Sequence, residues 1–587
     1  MARVRARTTA VCSIVVALAA AALVVSGSMS AQAAALSAAA PVPAVPSPDG
    51  DDAPLLTDQP APAAGDPVTL RPDQQPHSIP ADPAGTNPNF VALSSKPDST
   101  KTIWLNFDGG TLTNTWWNFE RPDHTNAPIV YSGAAIDDSV ARRTEIFERV
   151  AEIYAPFDVD VTTVYPGDDA LNRSGPDDQR YGVTDILTDT TADQMGINLA
   201  SGHPGGGIYD SFGNPYENQT FVVASELEGY VKDIATDMAH EVGHSLGLAH
   251  SGWHDGAGAY DEYYTPYGGL WAPEMGNPAW VPLARWSDNA YVGATHPAQD
   301  DLAVITDQAE AKVIQGSTYA VGSGDLMPSD RAECQEDGVY WAPDSLDADG
   351  YAICGDYDPS KRLSSITYYS GKLDFRADDV GDTAATATPL VLANDAGSAS
   401  GIISTNSDTD VYALTMPAGT LSLHATPAAI GANLDISLTV TDSTGAVVAV
   451  VDLPDSVGGV FPEVTLVGAD AQTTLALPQG TYDVSIEGTG FGDMATNTEF
   501  GTPAAPKYGS LGQYTLAAAV TPDPVVPTPA PTPTPTSTPV VPVVPDASGG
   551  SSSLAATGTA PLWPIGLLGA VVLLAGGLIF AGVRRRS

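Results

Sequence analysis

Apolar and polar positions follow two different periods in the first half of the chain. Residues 102–107 form a β-type run. Apolar residues then recur at helical spacing over 139–154, and Pro156 ends that helix. Residues 157–164 alternate apolar with polar, as a strand with one buried face does. Strand, helix and strand in this order predict a mixed, twisted sheet with a helix packed on it.

A second helix is predicted over 230–248, after further strands within 205–210 and 220–224. At about 100° per residue, His240 and His244 lie roughly 40° apart on one face of this helix. The opposite face carries apolar residues, namely Ile234, Met238, Val242 and Leu246. One face is therefore expected to bind a ligand while the other packs.

The pattern changes beyond residue 375. Short alternating runs separated by turn residues predict an antiparallel β-sandwich over 376–520. Residues 521–553 are rich in Pro and Thr and read as an extended spacer. The expected fold class is α+β, with a first domain over 97–375 followed by the sandwich.

The amino-terminal end has the order of an export signal. Three early arginines precede an apolar run and then small residues up to Ala33, so residues 1–33 are expected to be cleaved off. A membrane-spanning helix is the alternative, but the run is shorter than the roughly 20 apolar residues that a bilayer needs. Residues 34–96 are rich in Ala, Pro, Asp and Ser and are expected to be a low-complexity tether or pro-region.

The carboxyl-terminal segment 554–587 has three parts: Leu-Ala-Ala-Thr-Gly, an apolar run long enough to span a membrane, and three arginines. This tail resembles the sorting signals of Gram-positive wall-anchored proteins, in its actinobacterial LAxTG form. The resemblance implies that a sortase cuts between Thr557 and Gly558 and joins the chain to peptidoglycan. A plain membrane anchor is the alternative. Either way, membrane contact is expected only through this helix.

The net charge and the cysteine content exclude some partners and some types of metal site. The net charge is −46, which repels phosphate backbones and makes nucleic acid an unlikely partner. Cys12 lies in the export signal, so the two remaining cysteines, Cys334 and Cys354, are expected to form one disulfide. No cysteine cluster is left for a thiolate zinc site, and any zinc must therefore use His and carboxylate ligands.

The segment 240–250 carries the chemistry. Gly247 lets the chain leave the helix in a strained turn, which can return His250 to the metal beside His240 and His244. Three neutral imidazoles leave a fourth position open, the pattern of a catalytic zinc site. Glu241 lies beside both helical histidines, where it can act as general base. The alternative is that these are ordinary core or surface histidines. The fixed spacing of all the motif residues argues against this alternative.

These positions match the HExxHxxGxxH motif of metzincin zinc proteases, and with Ser251 the segment resembles the matrixin form. Metzincins have a methionine turn beneath the zinc, for which Met275 is the candidate; a core methionine is a compatible reading. The surrounding residues over 100–310 are more similar to bacterial reprolysin-like enzymes. No Tyr lies two residues after Met275, unlike the astacin and serralysin pattern.

Diffuse motifs over 376–520 resemble the bacterial pre-peptidase C-terminal domain, for example Asp408-Thr-Asp-Val-Tyr412. Calcium is a further candidate cofactor, because Asp344, Asp347 and Asp349 precede a glycine; a solvated acidic turn is the favoured alternative.

The expected function is zinc-dependent cleavage of extracellular proteins. The rival hypothesis is a surface adhesin or ligand-binding protein whose zinc site is vestigial.

The tail generates a direct prediction. The wall-attached form of the protein should end at Thr557, because the LAATG sequence precedes an apolar run and arginines. Mass spectrometry of protein released from the wall measures this end. Detection of residues beyond Gly558 in that form would contradict the sorting hypothesis.

Overall fold

A computed structural model describes residues 77–308, with gaps at 120–126, 135–138, 198, 200–203 and 265–268. It also describes residues 362–524, with gaps at 461–462 and 493–503, and the backbone of three short strands between these parts. The export signal, the Pro/Thr-rich spacer beyond 524 and the sorting tail lie outside the described residues. Among the described residues, no helix has the length and apolar character needed to cross a membrane.

The amino-terminal part contains twelve described strands and six described α-helices. The strands are β1 (His77–Pro80), β2 (Lys101–Asn106), β3 (Gly109–Thr113), β4 (Ile129–Ser132), β5 (Asp160–Thr162), β6 (Tyr181–Thr188), β7 (Gly205–Gly206), β8 (Gln219–Val223), β9 (Trp253–His254), β10 (Tyr260–Asp261), β11 (Trp271–Pro273) and β12 (Leu283–Arg285). The helices are α1 (Trp116–Phe119), α2 (Val140–Ile153), α3 (Asp168–Leu171), α4 (Ala192–Met195), α5 (Val231–Ser245) and α6 (Asp301–Thr306), with 3₁₀ turns at Ala224–Leu227 and Pro278–Trp280.

A five-stranded mixed sheet is the framework of this part. Its strand order is β5, β2, β6, β8 and β7. The first four strands run parallel, whereas β7 pairs antiparallel with β8 at one end of the sheet. The parallel strands β6 and β8 are buried along their whole length, as expected where both faces of a sheet are covered. The mixed sheet agrees with the expectation from the sequence.

Helices α2 and α5 pack together on this sheet. The α2 helix starts at Ser139, whose side chain accepts a hydrogen bond from the backbone N–H of Arg142 and so caps the helix. The two helices are tied where Tyr154 donates its hydroxyl to the carbonyl of Ala239, at 2.8 Å. Helix α5 is three residues shorter than predicted at its carboxyl end, because its last turn closes at Leu246 and Gly247 turns away.

The described structure includes residues 77–96, which belong to the segment expected to be a tether or pro-region. Strand β1 pairs antiparallel with β3. Further on, the backbone N–H of Leu93 donates to the hydroxyl of Thr163 at 2.9 Å, and Ser94 bridges to Thr162. The carboxyl-terminal residues of this segment are therefore part of the folded structure, because they pair with β3 and with residues in and after β5.

The remaining strands lie between the first part and residue 524. They are β13 (Val313–Tyr319), β14 (Met327–Pro328), β15 (Ile353–Cys354), β16 (Arg362–Tyr369), β17 (Thr388–Pro389), β18 (Ala396–Ile403), β19 (Asp410–Met416), β20 (Gly419–Pro427), β21 (Ile436–Asp442), β22 (Val447–Val451), β23 (Ser456–Val460), β24 (Glu463–Val467), β25 (Ala471–Leu477), β26 (Gly480–Gly488) and β27 (Gly512–Pro522). Cys334 lies outside the described residues, so the expected disulfide stays a prediction.

Two sheets form a sandwich in this second part. One has the order β17, β19, β26, β21 and β22, and the other has the order β18, β27, β20 and β25. All pairs except β17 with β19 are antiparallel. Buried and exposed residues alternate along β27, so that Tyr514, Leu516, Ala518 and Val520 face the core. The alternation of apolar and polar residues in the sequence predicted this arrangement.

The sandwich packs against the first part through buried polar contacts as well as a shared apolar core. The buried guanidinium of Arg285 donates to the carbonyls of Asn433 and Pro506, at 2.7 and 2.8 Å. On α2, the carboxyl of Glu152 meets the backbone N–H and the side-chain amide of Gln513, at 3.0 and 2.7 Å. These contacts join β12 and α2 to the sandwich.

The interface predicts a pH dependence of stability. Burial raises the pKa of Glu152 to about 8, from an ordinary value of 4.5, although Gln513 and Arg376 oppose the shift. Stability contributed by the neutral carboxyl is therefore complete below about pH 4.5 and is lost as the pH rises through about 8. Glu152→Gln keeps the side chain neutral. Relative to this variant, the wild type should lose up to about 1.4 kcal/mol of unfolding free energy per pH unit within that window.

Urea unfolding of both proteins across this pH range measures the difference. Glu148→Gln on the exposed side of the same helix is the matched control and should follow the wild type. A constant difference between wild type and Glu152→Gln at all pH values would contradict a buried neutral carboxyl.

Candidate metal centre

Three histidines converge at the end of α5. His240 and His244 lie one helical turn apart, and His250 returns from the segment after the helix. One ring nitrogen of each lies within 4.8 Å of the corresponding nitrogens of the other two. His240 is buried, whereas His244 and His250 are half-buried, so the group has a closed side within the protein and an open side. The predicted ligands therefore occupy one place.

Hydrogen bonds determine the tautomer of these rings. The Nδ1 atom of His240 lies 2.9 Å from the carbonyl oxygen of Glu274, and that of His244 lies 2.7 Å from the carbonyl oxygen of Leu248. Carbonyl oxygens can only accept, so each Nδ1 must carry the proton. The Nε2 atom of each neutral ring is then left with a bare lone pair.

His250 is held in the same way by a carboxylate. Its Nδ1 lies 2.7 Å from Oε1 of Glu262. Carboxylate or carbonyl partners behind metal-binding imidazoles orient the rings and raise their basicity. Glu262 is a residue that the sequence did not single out, because nothing in its spacing separates it from other acidic residues of the loop.

The donor set fits a zinc ion. The Nε2 atoms of His244 and His250 face each other at 2.9 Å. With both protons on Nδ1, the lone pairs of the two Nε2 atoms point at each other and repel. A cation between the rings would attract both lone pairs and stabilise this arrangement. Three neutral imidazole nitrogens are the ligands of catalytic zinc sites. His240, His244 and His250 would hold the ion.

The turn at Gly247 returns the chain toward the site. Its φ of 94° is in the left-handed region, and a Cβ there would lie 2.5 Å from Asp210 and 2.6 Å from Lys372. Lys372 is buried, forms an ion pair with Asp210 at 2.6 Å, and donates to the carbonyl of Leu246 at the end of α5. A cation at this position also stabilises the helix dipole. Sequence analysis missed Lys372, because its partners are far away along the chain.

Met275 lies beneath the site in a turn formed by Pro273–Gly276. The turn is closed by the N–H of Gly276 donating to the carbonyl of Pro273 at 3.0 Å. Met275 is fully buried, with its sulfur against Gly243 of α5, where a Cβ would approach within 2.6 Å. Its carbonyl accepts from the N–H of Ser251, next to His250, at 2.7 Å. The turn thus supports the helix and the third histidine together.

Glu241 faces a strand made of glycines. It is buried, and its pKa is raised well above the ordinary range by burial and by the nearby carboxyls of Asp237 and Asp185. The backbone N–H of Gly207 donates to its carboxylate and opposes that shift. A Cβ on Gly205 would lie 2.5 Å from Oε1 of Glu241. Only a residue without a side chain lets the strand approach the carboxylate this closely.

Tyr263 is a site residue that the sequence analysis did not identify. Its hydroxyl lies 3.2 Å from Nε2 of His250, and the two rings are 4.4 Å apart. The hydroxyl is therefore close to the point where the three imidazoles converge. The sequence search looked for a tyrosine after Met275, whereas this one comes before it, and loop geometry alone decides that it reaches the site.

Other predicted sites lie outside the described residues. These are Cys334, the acidic run at 344–349, and the sorting residues Thr557 and Gly558. His254 is in the described part but away from the triad, in the short strand β9. Among the described residues, the predicted metal ligands therefore lie on α5 and on the loop that follows it.

Comparison with known proteins identifies one family similarity. The model of a family described as dual-action HEIGH metallo-peptidase, Peptidase_M57, matches residues 177–260, which include α5 and all three histidines. The match and the histidine triad together support a zinc metallopeptidase, with protein or peptide substrates. A comparison with curated proteins finds no match.

Solved structures similar to parts of the chain include a periplasmic inhibitor of g-type lysozyme, PliG, from Aeromonas hydrophila. It is 16% identical and covers 23% of this chain and 96% of its own, with a TM-score of 0.14. The pre-peptidase C-terminal domain of collagenase from Bacillus anthracis is 9% identical and covers 25% and 99%, also with a TM-score of 0.14.

The position of Tyr263 predicts a catalytic contribution. Its hydroxyl can donate to an oxygen that gains negative charge next to the histidines, and removal of one such donor typically costs about 10² to 10³ in kcat. Tyr263→Phe should lower kcat for a peptide substrate by roughly that factor while zinc content stays at the wild-type level. Tyr260→Phe, at an exposed position in the same loop, is the control. An unchanged kcat in Tyr263→Phe would exclude the role.

Proposed function

We propose that this chain is a secreted, wall-anchored zinc endopeptidase of the metzincin type that hydrolyses extracellular proteins. The observation that carries the proposal is the convergence of three imidazoles whose Nδ1 protons are committed to other partners. Glu241 adjoins this group on the same helix. A binding protein with a vestigial site would have no use for a buried carboxyl beside three oriented ligands.

In the proposed peptide hydrolysis, the zinc ion and the protein side chains have different roles. When bound by the three histidines, zinc supplies a Lewis acid that polarises the scissile carbonyl. The charge of the bound ion would favour the ionised form of Glu241 over the neutral carboxyl that burial alone favours. The carboxylate of Glu241 would then accept a proton from the attacking water, whose oxygen forms the new bond to the carbonyl carbon. As the C–N bond breaks, the same carboxyl gives that proton to the leaving amine. The hydroxyl of Tyr263 donates a hydrogen bond to the oxygen that becomes negative.

The edge of the main sheet suits an extended substrate. Strand β7 is the last strand of the sheet in the described part of the chain, and it lies beside Glu241. A peptide can add to such an edge as a further strand through backbone hydrogen bonds. Two consecutive glycines in β7 keep side chains away from that path. This placement would bring a scissile bond of the substrate close to the general base.

Export and anchoring complete the proposal. They are supported by the sequence of the two ends: an export signal over 1–33, and a Pro/Thr-rich spacer with an LAATG tail at the carboxyl end. The spacer, at about 3 Å per residue, would hold the enzyme away from its attachment point. Sortase and peptidoglycan are then the partners that process and retain the chain.

Substitutions at Glu241 and His244 separate the general base from metal binding. Glu241→Ala should keep about one zinc per chain and lose on the order of 10² to 10⁴ in turnover, because only the proton acceptor is removed. His244→Ala should lose zinc affinity and activity together, since two imidazoles leave the ion under-ligated. Zinc content measured by mass spectrometry, beside peptide hydrolysis, distinguishes the two effects.

The wild type provides the metal control. Casein hydrolysis should disappear with a chelator and return when zinc is added. Wild-type turnover in a zinc-loaded Glu241→Ala protein would eliminate the proposed mechanism. A wild type that binds zinc yet hydrolyses no protein would favour the adhesin hypothesis instead.

A further inference from the structure

The segment that carries the third histidine belongs to no regular element. Residues 248–252 lie between the end of α5 and the start of β9, and they are in neither a helix nor a strand. Their backbone N–H and carbonyl groups need partners from elsewhere in the chain, because backbone groups left unpaired away from water are costly. The loop at residues 295–299, between β12 and α6, supplies several of these partners.

Gln299 pairs with Ala249 in this segment through both ends of its side-chain amide. Its Oε1 accepts from the N–H of Ala249 at 3.0 Å, and its Nε2 donates to the carbonyl of the same residue at 2.9 Å. The Nε2 atom also donates to Oδ1 of the buried Asp301 at 2.9 Å. The orientation of the amide is fixed, because an N–H needs an acceptor and a carbonyl needs a donor. Gln299 thus takes the place of a neighbouring strand.

Ala249 lies between two peptide groups, and the first of them contacts a metal ligand. This group joins Leu248 to Ala249; its carbonyl accepts from Nδ1 of His244, and its N–H donates to Gln299. A trans peptide group is planar, and its carbonyl and N–H point in opposite directions. Gln299 and His244 therefore hold opposite sides of one rigid unit. A rotation of this unit would move the acceptor away from His244.

The second peptide group, between Ala249 and His250, leads directly to the third ligand. Its carbonyl is the one that accepts from Nε2 of Gln299. The carbonyl of His250 itself lies 2.9 Å from Nδ1 of His296, in the same loop as Gln299. His296 holds the chain after His250, whereas Gln299 holds the peptide groups on both sides of Ala249. The position of two of the three imidazoles thus depends on the amide of Gln299.

We propose that Gln299 is a positioning residue of the metal centre: its amide sets the direction of His244 and His250, and so the affinity for zinc. The inference rests on the three histidines as metal ligands in the proposed function, but not on the hydrolysis of peptides. Loss of a partner behind a metal-binding imidazole typically lowers metal affinity about 10- to 100-fold. Gln299 is one step further from the ion than Leu248 and Glu262, so we expect an effect near the lower end of this range.

The zinc affinity of full-length variants, measured by competition with a chelating dye, tests this role. Gln299→Leu removes both hydrogen bonds to Ala249, and Gln299→Glu keeps the acceptor but places an oxygen opposite the carbonyl. Both variants should bind zinc about tenfold more weakly than the wild type. Gln194→Leu is the matched control, because it removes an amide that accepts from the N–H of Thr191 at the start of α4, at 3.0 Å. Its zinc affinity should equal that of the wild type.

The visible spectrum of the proteins loaded with cobalt(II) separates positioning from a general loss of stability. The spectrum depends on the geometry of the ligands around the ion, so it should change in both Gln299 variants and stay the same in Gln194→Leu. Gln299→Glu has nearly the same shape as the wild-type side chain, and it keeps the test available if Gln299→Leu does not fold.

Wild-type zinc affinity and an unchanged cobalt spectrum in Gln299→Glu would overturn the proposal. Equal weakening of zinc binding in Gln194→Leu would assign the loss to stability and would also overturn it. A wild type that binds no zinc would contradict both the metal centre and the role of Gln299. A wild type that binds zinc but hydrolyses no peptide, with weaker zinc binding in the Gln299 variants, would remove the peptidase function and support the positioning role.

Discussion

The site depends on one constraint: the Nδ1 proton of each imidazole is committed to an acceptor behind the ring. Two of these acceptors are backbone carbonyls, at Leu248 and Glu274, and the third is the carboxylate of Glu262. A backbone carbonyl cannot change its role, so the tautomer of two rings follows from the path of the main chain. Everything that positions this path, including Gly247 and the turn at Met275, contributes to metal binding.

The path is in turn supported by packing. Helix α5 is largely buried where it packs on α2 and on the main sheet, and Met275 fills the space next to Gly243. Lys372 reaches the carboxyl end of α5 from the segment that leads into the sandwich. The histidines are thus held by parts of the chain that are far apart in sequence. A change in packing at any of these contacts would alter the direction of the lone pairs.

The sandwich is joined to the first part of the chain by buried polar groups as well as by the connecting segment. Arg285 and Glu152 are both buried at the junction, and each has its main partners across it. Ionisable groups in such positions make the association sensitive to pH, because burial favours the neutral carboxyl.

Local pattern alone was enough to predict several features. The spacing of His240, His244 and His250 predicted that their rings would converge, as the structure shows, because a helix places residues four apart on one face. Period-two alternation predicted the strands of the sandwich, such as β27, because one face of each strand is buried. The bounds of α2 followed from apolar residues at helical spacing and from Pro156, which ends the helix.

Only the tertiary structure decided which distant residues join these elements. Tyr263, Glu262 and Lys372 reach the site by loop geometry and long-range packing, and no periodicity marks them. The closeness of Gly205 to Glu241 likewise arises from the position of an edge strand over a helix. Sequence spacing determines contacts within an element, where the geometry is regular, whereas contacts between elements depend on how the whole chain packs.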